Sequence, residues 1–147
     1  MDWNMLRKIR VEASAWIFFS VLLLLLPLNW VMASLAAAAF HECCHILALR
    51  FCAIPIYGIR IGGRGATLET GPVSVMEEFI CALAGPLGSI FLSLFIHTFP
   101  RIGICGLVQG LYNLLPFRLM DGGRILCCVI GLLHGKSPCK RKKVGVQ

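Results

Sequence analysis

Charge is what this chain has least of. Charged residues make up 14% of its 147 residues, and only seven of those are Asp or Glu. Hydrophobic residues account for 58%, too large a share for a soluble domain of this size and the composition of a polytopic membrane protein. No CxxC pair occurs among the eight cysteines, which argues against a thiolate zinc site and a disulfide framework. Cys43, Cys44, Cys81, Cys105, Cys127 and Cys128 lie inside apolar runs and read as small packing residues. There is no internal repeat and no low-complexity segment, so residues 1–147 read as one domain with no soluble domain appended.

The basic residues cluster at the ends. Arg7, Lys8 and Arg10 precede the first apolar run, and Lys136, Lys140, Arg141, Lys142 and Lys143 fall in a tail over 136–147. This pattern, with a net charge of +7, reads as an orientation signal and not as a nucleic-acid surface, so no nucleic acid is expected as a partner. Both ends then belong in the cytoplasm, which requires an even number of crossings of the cell membrane. In lipid a helix satisfies its own backbone. The expected fold is therefore an all-α polytopic membrane protein of about four transmembrane helices, with spans near 13–30, 31–51, 76–99 and 103–117. Residues 54–70 change character. Tyr57-Gly58-Ile59-Arg60-Ile61 alternates, Gly62-Gly63 follows, and Gly65-Ala66-Thr67-Leu68-Glu69 completes a predicted β-hairpin between the second and third spans. Residues 125–134 are too short to cross and read as an in-plane or packed helix. The N-terminal run, with Ala33-Ser34-Leu35-Ala36 after it, imitates a cleavable signal peptide. Cleavage there would cut into the approach to the next motif, so the run is read as a span.

That motif is His41-Glu42-Cys43-Cys44-His45, which reads HExxH. Ionisable groups inside a membrane helix cost roughly 2.5–3.5 kcal/mol each on insertion scales, and a bound metal gives them a reason to be there. On a helix, i and i+4 share one face, so both imidazoles can reach one zinc ion. Glu42 projects beside that face, where it can act on water without being a ligand. Cys44 borders the metal face, but the histidines already form the better-matched pair.

A catalytic zinc takes three protein ligands and keeps a fourth position open. Asp121 is the best candidate for the third. Glu77 and Glu78 only open the third span, whereas Asp121 adjoins a long embedded run and is followed by Gly122-Gly123. By itself Asp-Gly-Gly is a turn signal. His97 and His134 are rival ligands near span ends.

Three motifs together resemble the site-two protease family of intramembrane zinc metalloproteases, with the bacterial sporulation-type branch most similar. His41 to His45 matches the HExxH of an early span. Ala84-Gly85-Pro86 matches the family's AGP, with Ser89 where Asn or a small residue is usual. Asn113-Leu114-Leu115-Pro116 followed by Asp121-Gly122 matches NxxPxxxxDG. Arg118 and Met120 depart from the usual proline- and leucine-rich approach to DG. The resemblance implies that His41, His45 and Asp121 bind zinc, that Glu42 is the catalytic general base, and that Asn113 shapes the substrate-binding region. It implies cleavage in or near the transmembrane segment of a membrane-anchored protein, with the hairpin offering an edge strand to the unwound substrate and a cytosolic fragment released. The partners expected are that substrate and the lipid bilayer. With no PDZ or CBS module, regulation is absent or supplied in trans by a membrane protein. Two other classes use the same residues: a membrane metal-binding or transport protein, and a catalytically silent relative that binds helices.

Overall fold

Pro27 divides the first apolar stretch into two helices. The structure, a computed structural model, describes residues 9–62, 65–117 and 120–134. Helix α1 spans Ala13–Leu25 and α2 spans Leu28–Phe51. Leu26, the residue before the proline, is extended at φ −121° and ψ 143°, as the proline ring demands of its neighbour. The Pro27 carbonyl then accepts from the amides of Trp30 and Val31 and starts α2. The division therefore falls earlier than the 30/31 boundary read from hydropathy.

Helix α2 ends with a reversal that sets up the next element. Ile54 N–H donates to the Leu49 carbonyl at 2.9 Å and Ala53 N–H to that of Arg50 at 3.0 Å. This is a Schellman pattern, with Ala53 in the left-handed region at φ 53°. Leu49 and Ile54, the apolar pair that accompanies such a cap, both lie in the buried cluster with Ala48 and Cys81.

The hairpin is present, as strands β2 (Ile56–Gly62) and β3 (Gly65–Thr70), antiparallel with Ile59 opposite Leu68 and Gly62 opposite Gly65. A further strand, β1 (Ile9–Val11), pairs parallel to β2 and makes a three-stranded sheet in the order β1-β2-β3. The turn residues Gly63 and Arg64 lie outside the described residues. So do Arg118, the basic pair Arg7 and Lys8, and the 136–147 tail.

Helix α3 (Val75–Leu92) starts at a capping box: Glu77 N–H donates to Ser74 Oγ at 3.3 Å, and Ser74 N–H to Glu77 Oε2 at 2.8 Å. It is the central element, touching α2, α4 (Pro100–Asn113) and α5 (Asp121–His134). Small residues bring α4 against it. A Cβ at Gly110 would stand 2.8 Å from Ile90 Cγ1 and 3.0 Å from the Pro86 carbonyl oxygen, so the backbones meet as in small-residue packing between membrane helices.

Two helical segments, Leu28–Phe51 and Val75–Phe95, are long and apolar enough to cross a bilayer. The expected first and fourth spans take shape as helices of 13 and 14 residues. Helix α5 also differs from expectation. Asp-Gly-Gly does not form a bend ahead of a helix at 125; it is the first turn of the helix. Large apolar side chains face outward while several polar ones are buried. Leu24, Phe51 and Leu133 are 85%, 89% and 77% exposed, while His41, His45, Glu78, Ser89 and Asp121 are buried.

Candidate metal centre

Three elements deliver the buried polar groups to one point. His41 and His45 lie on one face of α2, Asp121 is the first residue of α5, and α3 packs between them with Gly85 against the imidazoles. His41 Nε2 is 3.2 Å from Asp121 Oδ2, His45 Nε2 is 3.1 Å from the same oxygen, and the two Nε2 atoms are 3.1 Å apart. Each imidazole is held from behind. His45 Nδ1–H donates to the Cys81 carbonyl at 2.7 Å, and His41 Nδ1 bonds the fully buried Ser89 Oγ at 2.8 Å.

The Cys81 bond decides what the three atoms can hold. A carbonyl only accepts, so Nδ1 of His45 carries the proton. A neutral imidazole has one N–H, which leaves Nε2 with a lone pair aimed at a carboxylate oxygen. Acceptor facing acceptor at 3.1 Å is repulsive. Either a proton or a cation must lie among the three groups. Tetrahedral ligands at zinc bond lengths sit about 3.3 Å from one another, and the observed triangle, with edges of 3.1–3.2 Å, is close to that. Two imidazoles and a carboxylate form a donor set suited to zinc, and among the described residues this is the group that can hold a metal ion. The backbone and hydroxyl partners behind the rings are the supports that metal-ligating histidines commonly have.

The other expected site residues fall around this triangle. Glu42 follows His41 on α2 and is half-buried. Asn113 ends α4, also half-buried, and the bonds that hold the three donors come from Ser89, Cys81 and Arg124 instead. Cys44 Sγ packs on Gly88 and not on the donor triangle. His134 Nδ1 bonds the Ile130 carbonyl within its own helix.

Sequence reasoning missed two participants. Glu78, grouped with Glu77 as a helix-start acid, is 6% exposed and pairs with Arg124, whose Nη1 donates to Asp121 Oδ1 at 3.0 Å. Glu77 is spent on the helix cap. The signals were present: a carboxylate inside a span is costly, and Arg124 stands three residues after Asp121, at the spacing of a helical ion pair.

No family model matches the chain, and no curated protein matches it in sequence. Among solved structures it superposes on the Site-2 Protease from Methanocaldococcus jannaschii with a TM-score of 0.70 and 19% identity, over 84% of this chain and 67% of that one. At that identity the likeness is one of fold.

Proposed function

With that fold as the premise, we propose that the chain is an intramembrane zinc metalloendopeptidase that cleaves a membrane-anchored protein in or near its transmembrane segment. The observation that carries this reading is the buried convergence of His41, His45 and Asp121 directly beside a half-buried Glu42.

In this reading His41, His45 and Asp121 would hold zinc, which when bound would supply Lewis acidity at the scissile carbonyl. Glu42 is the general base. It takes a proton from the attacking water and delivers it to the leaving nitrogen. The Cys81 carbonyl keeps the His45 proton on Nδ1 and so keeps Nε2 basic. Asn113, at the end of α4, lines the region where substrate enters. A transmembrane substrate buries its peptide bonds in its own helix and must unwind to be cut. Strand β3 lies at an edge of the sheet among the described residues, and that edge offers replacement hydrogen bonds to the unwound segment. Both termini face the cytoplasm, the chain crosses the membrane more than once, and the released fragment is cytosolic.

The deciding experiment combines zinc stoichiometry of the purified chain with cleavage of a defined membrane-anchored substrate. Stoichiometric zinc with cleavage that Glu42→Gln abolishes supports the reading. Zinc without cleavage points to a silent helix-binding relative, and zinc movement across vesicles without cleavage points to a transporter.

A further inference from the structure

We propose that Glu78 and Arg124 form a positioning relay that fixes which oxygen of Asp121 is presented to the metal. The inference rests on the metal reading above and adds residues to it. Arg124 sets two nitrogens on one oxygen of Glu78: Nη2 is 2.7 Å and Nε 2.8 Å from Oε1. Its third nitrogen, Nη1, is 3.0 Å from Asp121 Oδ1. The guanidinium is a rigid planar fork, so seating two of its nitrogens on Glu78 fixes where the third points. That third nitrogen occupies Oδ1. Only Oδ2 is left to face His41 and His45, so Asp121 is confined to one-oxygen ligation with its side chain locked.

Charge balance gives Glu78 a second task. Arg124 alone would neutralise Asp121 and compete with a metal for it. With Glu78 taking part of the guanidinium's charge, the trio of two carboxylates and one guanidinium keeps a net negative charge facing the imidazoles. The relay is also a mechanical tie. Glu78 belongs to α3 and Arg124 to α5, so the carboxylate from α5 is held to the helix on which His45 rests through the Cys81 carbonyl. Its two carboxylates are shielded from water, with side-chain exposures of 7% for Glu78 and 10% for Asp121, and Arg124 is half-buried at 28%.

The test uses the full chain purified in lipid nanodiscs, with zinc affinity measured by chelator competition and the visible spectrum of the cobalt(II)-loaded protein as a reporter of ligand geometry. Glu78→Gln and Arg124→Gln are each expected to weaken zinc binding about 10- to 100-fold and to shift the cobalt bands. Arg124→Lys, which keeps the charge but lacks the fork, should shift the bands as well. Glu77→Gln, one residue away, should change neither. The Glu78→Gln/Arg124→Gln double variant should be no weaker than Arg124→Gln alone, because Glu78 acts through Arg124. Wild-type affinity and spectrum in Glu78→Gln would overturn the relay, as would additive losses in the double variant. If Glu78→Gln does not fold, an unshifted Arg124→Lys spectrum overturns it instead. A wild-type chain that takes up no zinc is a different result and refutes the metal reading itself.

Discussion

The imidazole of His45 rests on the bare backbone of Gly85: a Cβ at that glycine would overlap His45 Nε2 and stand 2.8 Å from His41 Cε1. The smallest change in α3 therefore acts on both imidazoles at once. Gly85→Ala is expected to weaken zinc binding by about 10-fold or more while helix content, read by circular dichroism, is kept. Unchanged zinc affinity in this variant would show that the donor triangle tolerates displacement.

Glu42→Gln separates chemistry from metal binding. Turnover should fall by about 10²- to 10⁴-fold, the range for loss of a general base, with zinc content unchanged. Substantial turnover in the purified variant would sink the assignment.

Replacing any corner of the triangle should remove the metal. His41→Ala, His45→Ala and Asp121→Ala should each lose tightly bound zinc and activity together. His97→Ala, His134→Ala and a variant lacking all cysteines should keep both, because among the described residues none of these belongs to the convergent group. Metal analysis of the purified proteins decides it, and full zinc occupancy in Asp121→Ala would refute the ligand set.

Gly122 is tied to stability as well as to the site. A Cβ there would overlap the Leu114 carbonyl oxygen, so Gly122→Ala must push α5 away from the end of α4. Overpacking of this kind costs about 1–3 kcal/mol, to be read from thermal unfolding. Because Asp121 is the adjacent residue, zinc affinity should fall in parallel. Wild-type values for both would mean that the helix end yields without moving the carboxylate.

Orientation is open to a direct check. Reporter domains fused to either end should report from the cytoplasm. A C-terminal reporter found outside would overturn both the even number of crossings and the cytosolic release of product.

What could be read from the chain follows the range of each signal. His41 and His45 are joined by one helical turn, so their shared face is visible in four residues. The hairpin shows as alternation on either side of a glycine turn. Asp121 stood out because carboxylates are so few, although nothing local shows that it reaches α2. Strand β1 gave no signal: three residues carry no period, and their partners lie 50 positions further on. The break at Pro27 follows from the proline ring, but hydropathy alone carried the span past it. Glu78 and Arg124 each carried a local signal, but that they pair with one another was not readable, since 46 residues separate them and only docking of α5 on α3 brings them together.

The distance between the corners of the triangle also sets an order of events in the making of the protein. Asp121 follows His41 by 80 residues. At synthesis rates of about 5–20 residues per second, the histidines leave the ribosome roughly four to sixteen seconds before the carboxylate does. Throughout that interval the HExxH helix has two donors and no third. A cation met then is held weakly and can leave. On the metal reading, tight uptake would have to wait for α5 to reach α3, and a metal-loaded chain would be one whose assembly has already succeeded.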